Sequence, residues 1–224
     1  MTISLSVSTA LRRVAPEFVG GALMCDCVTA SSPTPPPLWE MITQESQALR
    51  REYDVLSLRR RKGILETRET YRRAGLDPSR YRPSCEQLAR RVLQGKSLFS
   101  VGVAVDIGNL VSLRTGCSVG VIDAERVAGG RAVLGIGRDD EPYEAIGRGL
   151  LHILNMPVYR DAIGAFATPT SDSVRTSITA HTRCLLVLLN GYHGDSSAIR
   201  SGLDFTAELL KQYGAATNIR TFLY

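Results

Sequence analysis

No run of 18 or more apolar residues occurs in the 224-residue sequence, and the longest apolar stretches, such as "CLLVLL" at 184–189, have the length of a buried strand. A membrane-spanning helix is therefore not expected, and neither is a membrane partner. The N-terminal "MTISLSVSTALRRVAPEF" places its charges after a weak apolar stretch, the reverse of a secretory signal, so a cytoplasmic address is expected. Cysteine is present but unorganised. Cys25, Cys27, Cys85, Cys117 and Cys184 are odd in number and offer no CxxC pair, which argues against both a disulfide framework and a zinc site and makes them buried thiols. The three histidines, His152, His181 and His193, are scattered with no HExxH, so no metal and no cofactor are expected. GxGxxG and GxxxxGK[ST] are missing, which leaves nucleotide hydrolysis without support, and nothing in the sequence fixes a histidine beside Ser171 or Thr170, which leaves a serine-hydrolase triad without support.

Lysine is scarce, and the cationic residues are almost all arginine: only Lys62, Lys96 and Lys211 stand among 27. Their placement is uneven. Residues 50–91 hold thirteen Lys/Arg against six Asp/Glu, a local balance of +7 that leaves −2 for the rest of a chain of net charge +5. The basicity is one patch. With 44% hydrophobic and 22% charged residues the chain has the composition of a globular protein, and its length suits one domain spanning 1–224.

Hydrophobic periodicity predicts a first strand over 18–30 with a Gly-Gly kink, then a stiff Pro-rich loop at 31–37, "SSPTPPP". Helical spacing follows from Leu38, and a second helix carrying Ile64, Leu65 and Tyr71 stops at Gly75. Asp77 caps a turn with Pro78 behind it, and Ser84 with Gln87 reads as a capping box opening a helix that faces inward with Cys85, Leu88, Ala89 and Val92. This helix, turn, helix elbow brings Arg68, Arg72, Arg80, Arg82, Arg90 and Arg91 together near exposed helix N-termini, a surface suited to phosphates. The blander reading is a capped turn on a solvated basic face. Residues 98–116 begin extended and turn helical near Asp106. The short runs "SVGVID", "RAVLGIG", "MPVYRD" and "CLLVLL" read as strands of a mixed sheet, followed by an amphipathic helix over 201–214 and a last strand, "NIRTFLY".

Two further constellations are polar. Asp106, Asn109 and Ser112 are three apart and share one helix face, as a substrate contact or as a structural tie. "ATPTSDSVRTSIT", 167–179, concentrates hydroxyls, a carboxylate and a guanidinium, as a ligand loop or a loop bonding its own backbone. The phrases "GLDPSRYRPS", "RRVLQGKSL", "VDIGNLVSL" and "GVID" together resemble the B3/B4 domain, the editing module of the bacterial phenylalanyl-tRNA synthetase beta subunit. "RDAIGAFATPTSDSVRTSIT" is similar to its stand-alone branch.

The resemblance implies an α/β fold, a single B3/B4-like domain with a mixed sheet flanked by helices. It places Asp106 and Asn109 on the helix before a pocket, Gly120 and Asp123 on its wall, and the segment from Thr168 to Thr176 on a facing loop. The chain departs from the family at Gly120, where the synthetase domain has a histidine. The implied activity is hydrolysis of a mischarged aminoacyl ester on charged tRNA. Asp172 or Asp161 would orient the water, with Thr170 and Ser171 nearby, while Asp106, Asn109, Ser112, Gly120, Arg138, Glu141, Thr168 and Arg175 would contact the substrate. A noncatalytic module for charged tRNA or an amino-acid-like metabolite, and a tRNA-dependent aminoacyl transferase, remain alternatives.

Overall fold

The computed structural model describes residues 2–27 and 29–224. From the N-terminus the chain forms β1 (Ser4–Val7), α1 (Thr9–Val14), β2 (Val19–Asp26), α2 (Pro36–Glu52), α3 (Lys62–Arg73), α4 (Ser84–Leu93) and α5 (Val103–Thr115). It continues through β3 (Ser118–Asp123), β4 (Arg131–Ile136), β5 (Glu144–Ala145), β6 (Gly149–Leu150), β7 (Pro157–Arg160) and β8 (Ala165–Ala167). It closes with β9 (Cys184–Gly191), α6 (Ser196–Tyr213) and β10 (Thr217–Leu223). The fold is α/β, with two four-stranded sheets where the sequence suggested one. An antiparallel sheet runs β10-β2-β9-β3, and a mixed sheet runs β1-β4-β7-β8, in which only the β1–β4 pair is parallel.

The apolar run of β9 explains how the layers stack. Leu185, Val187 and Leu189 face a core built with α2, α4, α5 and α6, while Leu186 and Leu188 face a second core shared with Leu134, Tyr159 and Phe166 of the mixed sheet. Both faces of the antiparallel sheet are therefore covered, and its central strand has no need of polar alternation. Helix α5 is enclosed in the same way. Nine of its thirteen residues are buried, which is why it lacks a polar stripe.

Several boundaries differ from the sequence reading. The strand and helix at 4–14 are additional to the elements the sequence reading named, although Ile3, Leu5 and Val7 do alternate with serines. The Pro-rich loop ends at Pro35, because Pro36 and Pro37 occupy the first turn of α2, where a missing N–H costs nothing. Helix α6 begins five residues before the expected 201, capped by Asp195, whose Oδ1 accepts from the Ala198 N–H at 3.0 Å. The expected strand over 18–30 ends at Asp26, and its Val28 lies outside the described residues.

The elbow forms where expected but is capped differently. Gly75 takes φ +82° after α3, and Asp77 Oδ1 accepts from the Ser79 N–H at 2.8 Å. Pro83, extended at φ −56° and ψ 146°, occupies the N-cap, so Ser84 already lies inside the helix and the capping box does not form. The Ser84 N–H donates instead to the Pro169 carbonyl at 2.7 Å, and Gln87 Nε2 donates to the Arg82 carbonyl at 2.7 Å and the Thr170 carbonyl at 3.2 Å. The elbow is thereby fastened to the hydroxyl-rich loop.

Candidate functional site

That fastening closes one side of a cleft of about 780 Å³. Its walls are α4, the start of α5, the edge strand β3, the tip of the β5–β6 hairpin, and the loop that follows β8. Helix α4 of the elbow and the hydroxyl-rich loop thus face one concavity.

Asp172 is the cleft's only carboxylate among the described residues. Burial pushes its carboxyl up from the ordinary 3.8 to about 7, against the opposing pull of a hydrogen bond from the Val121 backbone N–H. The room for it comes from Gly120: a Cβ there would lie 3.3 Å from Asp172 Oδ1. At neutral pH the group is divided between a proton acceptor and a proton donor, the condition suited to general acid–base work. The loop that presents it is built by Thr168, whose Oγ1 accepts from the N–H groups of Thr170 at 3.2 Å and Ser171 at 3.0 Å. Thr170 Oγ1 is itself engaged with Tyr71 OH at 2.8 Å and the Tyr81 carbonyl at 3.1 Å, so it is a brace and not an available nucleophile. Ser171 Oγ points to the Ile146 carbonyl at 3.4 Å.

The floor carries a buried amide. Asn190 Oδ1 accepts from Tyr159 OH at 2.8 Å and its Nδ2 donates to the Ser118 carbonyl at 3.0 Å. The same residue lines the cleft.

The sequence profile of the B3/4 domain matches residues 66–213, two thirds of the chain and every wall of the cleft. The chain belongs to the B3/4 domain family. Among solved structures, an N-terminal fragment of the phenylalanyl-tRNA synthetase beta-subunit from Pyrococcus horikoshii is similar at a TM-score of 0.52 and 11% identity, covering 98% of this chain and 51% of that one. The chain thus spans about half of that structure, and the likeness is one of fold. No curated protein matches the sequence.

In this B3/4 domain the remaining sequence-derived candidates separate sharply. Asn109, Gly120, Thr168, Thr170, Ser171 and Asp172 line the cleft. Asp161 does not. Its carboxylate is gripped by Arg175 through two hydrogen bonds of 3.0 Å and by the N–H groups of Ala128, Ile163 and Gly164 at 2.8, 2.9 and 3.1 Å. Burial alone would push its carboxyl up, but these five donors hold it below the ordinary range. Asp161 and Arg175 are therefore a structural clamp, not a water-orienting pair. Glu141 is likewise taken by Arg160 and by the Arg138 N–H, away from the cleft. Asp106 accepts from Thr34 Oγ1 and Ser100 Oγ, both at 2.6 Å, and Ser112 donates to the Cys117 carbonyl at 2.9 Å, so both tie loops together.

The arginines divide as well. Arg68 is 3% exposed and bonded to Glu86 at 2.7 Å and the Pro78 carbonyl at 3.2 Å, which removes it from any RNA-binding surface. Arg90 reaches the Val55 carbonyl at 3.4 Å. Arg72 and Arg80 are exposed, Arg82 is half-buried, and Arg91 lines the cleft. Sequence reasoning missed Asn190, Gln87 and Arg148 in the cleft wall. Asn190 had a signal: it ends the otherwise apolar run of β9.

All five cysteines are free, four of them buried, and among the described residues no cluster of three or more His, Cys, Asp or Glu could hold a metal. No helix among the described residues is long and apolar enough to cross a membrane.

Proposed function

We propose that this chain, as one domain spanning residues 1–224, binds charged tRNA and hydrolyses the ester of a mischarged amino acid in trans. The observation that carries the reading is Asp172, a carboxyl with its pKa near 7, set inside a cleft in which it is the only carboxylate among the described residues. An aminoacyl ester is already activated, so a positioned water suffices. The Asp172 carboxylate takes the water's proton as the oxygen attacks the ester carbonyl, and the same carboxyl returns it to the departing ribose oxygen. In this reading the second N–H of Asn190 receives the developing oxyanion.

The volume a family histidine would need above Gly120 is occupied by the Asp172 carboxylate, so in this reading the base comes from the facing loop. Arg72, Arg80 and Arg82 supply the phosphate contacts, with Arg80 stacked 5.3 Å from the Tyr81 ring centroid beside the loop.

A panel of tRNAs charged with different amino acids tests the reading: first-order loss of one ester is expected, and an inert panel with retained binding would leave a noncatalytic binding module instead. Product analysis with amine acceptors exposes a transferase. Arg80→Ala with Arg82→Ala should weaken tRNA binding and reduce the slope of log K against log salt by roughly one for each phosphate no longer neutralised. Unchanged affinity refutes the basic elbow.

A further inference from the structure

Eight large hydrophobic side chains are exposed among the described residues, and three of them, Val101, Ile146 and Val174, line the cleft. Phe99, 72% exposed, lies two residues from Val101. A lone exposed phenylalanine on a surface loop is ordinary in itself, but this one is held. The Arg91 guanidinium sits over one face of the ring, 4.4 Å from its centroid. Arg91 is fixed in turn by Nε donating to the Ser97 carbonyl at 2.7 Å. The strap that carries the ring is pinned to Asp106 through Ser100 Oγ at 2.6 Å and the Val101 N–H at 3.1 Å. One face of an oriented aromatic is left open beside the cleft, backed by a cation.

We propose that the open face of Phe99 stacks the terminal base of the RNA whose acylated ribose enters the cleft. The inference rests on the reading of the cleft as a site for an acylated RNA end. Base–aromatic stacking tolerates any base, because each has a π-face, and it is strengthened by an arginine cation. Two extended residues separate Phe99 from Val101 by at most about 7 Å, which leaves the base outside the cleft while its sugar reaches in. The pinned strap lowers the ordering cost of binding. Asp106 therefore serves the site without touching it: it sets the angle of the platform.

The test uses an uncharged RNA minihelix ending in CCA and the same minihelix with an abasic terminal ribose. The wild-type chain should bind the first about tenfold more tightly. Phe99→Ala should abolish that difference without changing affinity for the abasic form, and Phe99→Trp should restore it. Equal affinities for the two RNAs in the wild type, including no binding of either, would overturn the platform, as would an undiminished difference in Phe99→Ala. Because no ester is present, the hydrolytic reading can fail on the charged panel while the platform stands, and the platform can fail while hydrolysis continues.

Discussion

Asp172→Asn is expected to slow deacylation of the responsive charged tRNA by at least about 100-fold, the lower range for loss of a general base, with tRNA binding kept. In the wild type the rate should rise with pH and level off above about 7, following ionisation of the carboxyl. The asparagine variant should show no such limb. A pH-independent wild-type rate, or an asparagine variant of full activity, would sink the assignment.

The same replacement carries an opposite effect on stability. A carboxyl whose pKa rises on folding favours the folded state when protonated. Its contribution is full below the ordinary 3.8 and is lost as pH climbs toward 7. Asp172→Asn should therefore raise Tm at pH 8 and leave it nearly unchanged at pH 3. The gap between the two pKa values caps the gain at about 4 kcal/mol, and water in the cleft lowers it. Slower chemistry together with a higher Tm marks a group that is strained for use.

Arg68→Met should be the most destabilising of the surface-basic substitutions the sequence invites, by about 3–5 kcal/mol. Glu86 is fully buried, its Oε2 is 2.7 Å from Arg68 Nη1, and its Oε1 has no hydrogen-bond partner among the described residues. Removing the guanidinium leaves that carboxylate uncompensated and takes a donor from the Pro78 carbonyl. Combining it with Glu86→Leu should recover most of the loss, since a matched apolar pair replaces a buried ion pair at little cost. Urea titrations of the four proteins measure this. A single-variant loss below about 1 kcal/mol would show that the pair is not buried as described.

What the sequence made legible was local. Gly75, Asp77 and Pro78 sit within a few residues of the turn they make, and the apolar period of 85–92 declares its own buried face. The individual strands and the family were readable for the same reason, from short phrases in order, whereas the division of those strands between two sheets was not. Arg68 and Arg72 lie one helical turn apart and look alike in sequence. Their fates differ because Glu86, eighteen residues on, meets only the first. Asp161 and Asp172 are a similar case. Both flank β8, and the distinction comes from where Arg175 lands: its guanidinium forks onto Asp161, leaving Asp172 with one backbone donor at the cleft wall. No spacing rule encodes either outcome.

Strand β3 is the outermost member of its sheet, a position that ordinarily invites another chain to add on by backbone pairing. Here the segment after β8 lies along it, with Ser118 Oγ bonded to the Pro169 carbonyl at 3.0 Å and the Val121 N–H bonded to Asp172. The segment that furnishes the cleft thus also occupies part of that edge. Lengthening or loosening it to admit a bulkier substrate would bare the strand, and soluble aggregates would accompany any relaxed specificity.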